Sequence, residues 1–222
     1  MAPKSAREEI LGTIRAALGG AGEAPADNRP MPMVRVADRL SPRTAGKPDD
    51  ELEQALSEIS SLGGLTRRLA HASEFGPALS ELIRAEQVHS ATLWQTPELQ
   101  ALGIADLLRG QSVEIVSPYA DSHILAACDL GVTGVDAVLP EIGTLLLRSG
   151  PDRPRLVSLL PRVHLALVRP ANLQADLRLA LSEVKDAGYA VCITGPSRTA
   201  DIELTVTIGV HGPKVLYVWV ID

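Results

Sequence analysis

Cysteine is scarce in this chain, whose 222 residues include only Cys128 and Cys192. The two form no CxxC pair and no metal-binding spacing, so the sequence contains no cysteine set that could hold an iron-sulfur cluster. Both stand in apolar surroundings, which predicts buried free thiols. Free thiols are typical of a reducing compartment, and we therefore expect a cytoplasmic protein.

A surplus of basic residues is also absent. The chain has 21 lysines and arginines against 27 aspartates and glutamates, a net charge of −6. Nothing in this balance would neutralise a phosphate backbone, so nucleic acid is not an expected partner. No segment has the uncharged length of a membrane span. Charges near the start interrupt the apolar core that a signal peptide needs, at Arg7, Glu8, Glu9 and Arg15.

Three ligand-binding patterns are missing as well. The chain contains no GxxxxGK[ST] loop, no GxGxxG fingerprint and no HExxH pair. A P-loop, a dinucleotide-binding turn and a histidine-based metal centre are therefore not predicted. We expect no metal and no cofactor in this chain.

The chain begins with an amphipathic helix in residues 1–20. Ser5 and Glu8 have capping-box spacing, and two glycines at positions 19 and 20 end the pattern. Apolar residues recur at helical spacing, at Ile10, Leu11, Ile14 and Leu18. Residues 21–48 contain five prolines and little apolar periodicity, which predicts a linker. The helix is thus an arm whose apolar stripe covers either the body of the chain or another copy in a homo-oligomer.

Residues 49–222 alternate short β-rich runs with helical patterns. This alternation predicts βαβ crossovers, and hence a mostly parallel sheet flanked by helices. The rhythm breaks over residues 131–161, where three extended apolar segments leave little room for a helix. Antiparallel pairing is predicted there. The predicted fold class is α/β with a mixed, mostly parallel sheet.

A polar loop, GPSRTADIEL, begins at Gly195 directly after the predicted strand YAVCIT. Turn formation explains the glycine and the proline, and Ser197 or Thr199 would serve equally well as helix caps. A loop that needs only a turn and a cap does not also require the cation of Arg198 and the acid of Asp201. Since α/β sheets bind ligands beyond the carboxyl ends of their strands, the loop predicts a site for a polar, anionic substrate.

A second polar cluster, TGVDAVLPEIGT, stands in an otherwise apolar β region and contains Thr133, Asp136, Glu141 and Thr144. An acid in such surroundings is paired, solvated at a strand end or shifted in pKa for chemistry. For Asp136, a turn position after Gly134 is the preferred interpretation over a ligand site. Glu141 is the better functional candidate, because Gly143 allows close approach of a ligand or of backbone.

Among the histidines, His211 is the strongest candidate for a general acid or base. The glycines on both sides of it, in GVHGP, form a bend that presents the imidazole outward. His164, at the start of the apolar run VHLALV, fits a structural role better. The predicted catalytic residues are Glu141, Asp201 and His211. The predicted substrate-binding residues are Thr133, Asp136, Thr144, Gly195, Ser197, Arg198 and Thr199.

Three segments together resemble the LUD domain, specifically the lactate utilization protein C family (LutC or YkgG). They are GVTGVDAVLPEIGTLLL, RLVSLLPRVHLALV and ITGPSRTADIELTVTIGVHGP. Arg198 stands where many relatives have lysine, which keeps the charge but changes the hydrogen-bond geometry. PEIGT departs from the commoner Ala-Glu-Thr-Gly-Thr, yet retains Glu141, Gly143 and Thr144. The resemblance implies a fold similar to the ribose-5-phosphate isomerase, glucosamine-6-phosphate deaminase and CoA-transferase group.

The resemblance also implies a function. Members of that family act with LutA-like and LutB-like iron-sulfur proteins in oxidising L-lactate to pyruvate, and the clusters belong to those partners. We hypothesise that Ser197, Arg198 and Thr199 hold a small carboxylate while Glu141 or His211 handles a proton. Two alternatives stay open. One is a non-catalytic adaptor or regulatory subunit, and the other is a stand-alone enzyme acting on a sugar phosphate, a CoA ester or a folate.

Overall fold

The computed structural model of the protein describes residues 6–17, 43–185, 187–200 and 206–221. The chain divides into two compact units, Met1–Ser41 and Pro42–Asp222. In the first unit the predicted helix is present as α1 (Ala6–Ala17), on which Ile10 and Ile14 are exposed. The glycines predicted to end this helix and the linker up to residue 42 lie outside the described residues.

The second unit contains the remaining elements. Its helices are α2 (Pro48–Ser61), α3 (Phe75–Glu86), α4 (Pro97–Ala101), α5 (Ile104–Arg109), α6 (Ser122–Ala126) and α7 (Leu177–Val184). Its strands are β1 (Leu65–Leu69), β2 (Ser90–Leu93), β3 (Glu114–Val116), β4 (Leu130–Gly134), β5 (Ala137–Leu139), β6 (Thr144–Arg148), β7 (Val163–Val168), β8 (Ala190–Ile193), β9 (Arg198–Ala200), β10 (Val206–Ile208) and β11 (Val215–Ile221). Short 3-10 helices occupy Ala72–Glu74, Pro140–Ile142, Arg155–Ser158 and Pro170–Asn172.

Helix α2 shows how local sequence sets an element. A proline at its first turn and acidic residues beside it suit the start of a helix. Glu51 is buried there and accepts hydrogen bonds from the Arg43 guanidinium and the Gly46 amide, and the bond from Arg43 lowers the pKa of its carboxyl. One face of the helix packs into the core through Leu52, Ala55 and Ile59.

Six strands form the central sheet, in the order β1-β11-β7-β4-β2-β3. Every adjacent pair in it is parallel, as the alternating pattern predicted. All residues of β7 are buried, which is typical of a parallel sheet covered on both faces. Helix α3 packs on one face, where Phe75 meets Trp219 of β11 edge to face at 5.7 Å.

The antiparallel pairing predicted for residues 131–161 is present in a second, three-stranded sheet of order β5-β6-β8. Only part of that region takes this form. Strand β4 joins the parallel sheet, and RLVSLL contains a 3-10 helix instead of a strand. Pro154 and Pro161 bound that segment, and proline restricts the backbone and lacks an amide donor for a sheet.

Strand β8 requires a correction with consequences for the site. The run YAVCIT forms a strand as predicted, but that strand pairs antiparallel with β6 and lies outside the parallel sheet. The loop that begins at Gly195 therefore does not lie at the carboxyl edge of the parallel sheet. The predicted burial of Cys192 is also wrong. Strand β8 is at the edge of its sheet and Cys192 is exposed, whereas Cys128 is buried.

The sequence pattern predicts one helix in each of TPELQALGIADLLRG, YADSHILAACDLG and ANLQADLRLALSEVKDAG, and in all three segments the helices of the structure are shorter. The segment TPELQALGIADLLRG divides into α4 and α5 because Gly103 adopts a left-handed conformation, with φ of 62°. Helix α6 is a short segment capped by Asp121, whose side chain accepts from the His123 amide. Helix α7 begins only after Asp176, which caps it by accepting from the Leu179 amide at 2.9 Å.

Gly131 of β4 packs closely against the 3-10 helix Arg155–Ser158, which precedes β7. A Cβ atom at this position would lie 2.0 Å from the carbonyl oxygen of Val157. We expect Gly131→Ala to lower the free energy of unfolding by about 3 kcal/mol, because the backbone must move to admit the methyl group. Urea unfolding measures the change. Gly134→Ala is the matched control, since no atom lies within 4 Å of its added Cβ; an equal loss in both variants would contradict the prediction.

Candidate functional site

Two loops converge beyond the end of β8. Gly195 has φ of 126°, and a side chain there would also crowd the carbonyl of Leu62. Ser197 connects the loop after β8 to the loop between β10 and β11. Its amide donates to the Pro213 carbonyl at 2.9 Å, and its hydroxyl accepts from the His211 amide at 3.2 Å. The Gly209 amide donates to the Ser197 carbonyl at 2.9 Å. These bonds hold both loops in one arrangement.

A cavity of about 230 Å³ lies between these loops and the parallel sheet. Residues 191–198 and 211–213 line it, together with Ser158, Leu159, His164 and Leu216. We call it the loop cavity. The structure thus brings Gly195, Ser197 and Arg198 of the GPSRTADIEL loop together with His211 of the GVHGP bend.

His164 forms the buried wall of the loop cavity. It is fully buried on β7, opposite Gly131 of β4 and Leu216 of β11. Its Nε2 atom shares a 2.8 Å hydrogen bond with the hydroxyl of Thr133, while Nδ1 has no partner among the described residues. Burial lowers the pKa of the imidazole to about 3, so the ring is neutral at physiological pH.

A neutral imidazole suits a ligand hydroxyl. It carries a proton on only one ring nitrogen, and the Thr133 hydroxyl can serve as donor or acceptor, so Nδ1 takes whichever role Nε2 leaves to it. A ligand hydroxyl can both donate and accept a hydrogen bond, so it can pair with Nδ1 in either protonation arrangement of the ring. A buried polar atom without a partner is costly, which makes Nδ1 a point where a ligand or a water would be stabilised.

Thr133 and Thr144 form hydrogen bonds to residues that line the loop cavity. Thr133 is buried on β4 and positions His164. Thr144 is buried at the start of β6, and its hydroxyl lies 2.9 Å from the hydroxyl of Thr194, which lines the cavity. Thr133 and Thr144, two of the three threonines predicted to bind substrate, therefore contact residues that line the cavity.

Arg198 stands at the exposed rim of the loop cavity. Its Nη2 atom donates to the Leu62 carbonyl at 2.7 Å, at the carboxyl end of α2, where a cation is favourable. That bond uses one of the five N–H donors of the guanidinium. Arg198 therefore combines a capping role with a position suited to an anion at the cavity mouth.

The other predicted residues lie elsewhere or beyond description. Glu141 is exposed in the 3-10 helix Pro140–Ile142, which packs on α2, and it does not line the loop cavity. Asp136 lies at the carboxyl edge of the parallel sheet in ion pairs with Arg148 and Arg153. Asp201 falls outside the described residues, and of Thr199 only the backbone is described, in β9.

His164 is the residue whose part in the cavity the sequence did not predict. The available signal was a histidine inside the apolar run VHLALV, but that pattern is equally common for a structural side chain. Its position against the loops depends on long-range pairing. Within the described part of the chain, no group of three histidine, cysteine, aspartate or glutamate side chains is arranged to hold a metal.

The fold and the cavity define an α/β protein with a parallel sheet and a small polar pocket beside it. The chain belongs to the LUD domain family, whose model matches residues 52–221. The family predicted from the three sequence segments is thus confirmed. None of the helices in the described ranges has the length and apolar character of a bilayer-spanning segment.

Several relatives carry the description lactate utilization protein C. The chain is 26% identical to that protein of Halalkalibacterium halodurans over 228 aligned positions, covering 97% of this chain and 98% of the relative. It is 29% identical to that of Shouchella clausii, over 86% of this chain and 89% of the relative. A DUF162 family crystal structure from Deinococcus radiodurans has the same fold, with a TM-score of 0.60, 20% identity, and coverage of 80% of this chain and 100% of the other.

The burial of His164 predicts a pH-dependent stability. The pKa of its ring falls from 6.5 to about 3 on folding, so between these values the unfolded chain binds a proton that the folded chain does not. Stability contributed by the neutral ring is complete above the unfolded pKa and is lost as the pH falls, by up to roughly 1.4 kcal/mol per pH unit. Urea unfolding from neutral to mildly acidic pH measures this slope.

The matched variant for this measurement is His164→Leu, which removes the titrating ring. We expect its stability to depend less steeply on pH than that of the wild type, since the carboxylates contribute to both chains alike. Parallel slopes in the two proteins would show that His164 is not buried in neutral form.

Proposed function

We propose that this protein is a substrate-binding component of a lactate-utilization system that oxidises L-lactate to pyruvate together with LutA-like and LutB-like iron-sulfur proteins. Its relatives support a role in lactate utilization, because they carry the description lactate utilization protein C and two of them match nearly the whole chain. The observation that carries the proposal is the convergence of Ser197, Arg198, His211 and buried His164 on one small cavity.

The size and chemistry of the loop cavity suit a short hydroxy acid. Its volume of about 230 Å³ equals that of roughly eight waters, enough for a molecule of a few heavy atoms. In this proposal the Arg198 guanidinium binds the carboxylate at the rim, where a charge-assisted hydrogen bond is strong. The hydroxyl faces His164 or Ser197 inside.

Oxidation of lactate to pyruvate releases two protons and two electrons. In the proposal His211, exposed at the cavity, accepts the proton of the hydroxyl as general base. The neutral His164 is a weaker base and serves to orient the hydroxyl. The Cα–H bond of lactate breaks as well, and its hydrogen and both electrons, together a hydride equivalent, pass to an acceptor in the partner proteins. The acceptor is placed there because this chain has two separate cysteines and a cluster requires a larger set of them.

A specific observation also favours the adaptor alternative. Leu177 and Leu181, one turn apart on α7, are 48% and 46% exposed. Adjacent exposed apolar side chains on one helix face are typical of a contact surface for another protein. Under that alternative the chain would dock the iron-sulfur partners without binding lactate, and the titrations below separate the two functions.

Arg198→Ala tests the carboxylate site. We expect the affinity of the isolated chain for L-lactate or pyruvate, measured by calorimetric titration, to fall about tenfold to a hundredfold, the value of a charged hydrogen bond. Arg198→Lys should retain part of the affinity because it keeps the charge. The control is Arg84→Ala, an exposed arginine of α3 that lines no part of the cavity. Unchanged binding in Arg198→Ala would remove the clamp from the proposal.

His211→Ala tests the proton acceptor in the assembled system. We expect turnover with L-lactate to fall by roughly 10²- to 10⁴-fold, the range for a general base, while the affinity for pyruvate changes little. The fold should persist, because the bond between residues 211 and 197 uses the His211 backbone amide. Full turnover in the variant would exclude His211 as the base.

A further inference from the structure

The carboxyl edge of the parallel sheet carries a second cavity, of about 290 Å³, which the proposed lactate site does not use. It lies where the order of the strands reverses: after β2 the chain forms β3 on one side and returns to form β4 on the other. In α/β sheets such a reversal opens a crevice that binds ligands. We call this cavity the arginine crevice, because Arg148, Arg153 and Arg169 line it.

Asp136 holds two of these arginines in place. Its carboxylate is only 9% exposed, lies 3.0 Å from the Arg148 Nε atom and forms a second ion pair with Arg153 Nη1. The Arg148 amide donates to the same carboxylate at 2.8 Å. The Arg153 guanidinium also lies over the Trp94 ring, 5.8 Å from its centroid. The two guanidinium groups are therefore positioned before any ligand arrives.

Three arginines and three acids line the arginine crevice, so its formal charges balance. Asp136 binds two of the arginines, whereas Glu98 and Glu183 have exposed side chains whose charge water screens. Arg169 forms no salt bridge with another described residue. Guanidinium groups have several N–H donors in a plane, which matches the oxygens of a phosphate or a carboxylate.

A larger cavity of about 620 Å³, lined in part by β3, adjoins the arginine crevice. The two cavities share Trp94 and Leu99 in their walls. Ile104, Ile115 and Val116 give the larger cavity an apolar wall. A ligand that bridges both would have an anionic group at the arginines and a body much larger than lactate.

We propose that the arginine crevice binds an organic phosphate monoester whose body occupies the adjoining cavity, at a site separate from that of the lactate carboxylate. A phosphate monoester has three acceptor oxygens and a charge of about −1.5 to −2 at neutral pH, which suits the N–H donors of three guanidinium groups. A single carboxylate offers only two oxygens. This inference goes beyond the proposed function and does not depend on it.

Fluorescence titration with AMP tests the site. The chain has two tryptophans, so Trp219→Phe leaves Trp94, in the shared wall, as the single indole reporter. We expect AMP to change Trp94 fluorescence saturably, and to bind more tightly than inorganic phosphate, which lacks the body, or adenosine, which lacks the charge. Arg169→Ala and Arg153→Ala should each weaken AMP binding by about tenfold.

The controls distinguish this site from the loop cavity. Arg153→Lys keeps the charge beside Asp136 and should restore part of the affinity if Arg153→Ala merely leaves that carboxylate unpaired. Arg84→Ala should bind AMP as the parent does. Arg198→Ala should lose lactate binding and keep AMP binding, whereas AMP binding that is lost with Arg198 would place both ligands in the loop cavity and overturn the inference. Absence of AMP binding to the folded parent, or equal binding of AMP and adenosine, would overturn it as well.

Discussion

The hydrogen bond between Thr133 and His164 joins two central strands of the parallel sheet inside an otherwise apolar core. It satisfies one nitrogen of a fully buried imidazole, leaves the other without a partner among the described residues, and belongs to a side chain that lines the loop cavity. A buried polar pair of this kind is stable only where strand register is well defined, because a small shift would leave both groups unpaired. The loop cavity depends on that register, since its wall is the ring of His164.

The small antiparallel sheet gives the loop cavity its other side. Strand β8 pairs with β6, so its following loop approaches the carboxyl end of α2 and the bend around His211. Ser197 contributes its amide, carbonyl and hydroxyl to this junction. The loop cavity, formed by loops against the side of the sheet, is thus distinct from the arginine crevice at the carboxyl edge, where Asp136 binds two arginines.

Much of the fold followed from pattern alone. Periodic apolar residues in DDELEQALSEISS and GPALSELIRAEQ predicted α2 and α3, and the apolar runs VHLALV and KVLYVWVID predicted β7 and β11. The loss of helical pattern predicted the antiparallel region. The errors have two causes. Helices α4 to α7 were overextended because a single residue, such as Gly103 in its left-handed conformation or Asp176 as a cap, ends or begins a helix without altering the apolar pattern around it. The sheet to which β8 belongs was missed because strand pairing is non-local.

The amino-acid sequence by itself determined the α/β class, the family and the residue types that carry chemistry in each motif, because these depend on local composition and spacing. Only the tertiary structure decided which motifs meet. It placed Ser197, Arg198 and His211 beside His164, separated Glu141 and Asp136 from them, and assembled Arg148, Arg153 and Arg169 from three different segments. The physical reason is that strand order and register, set by long-range packing of buried side chains, determine distances between residues that are remote along the chain.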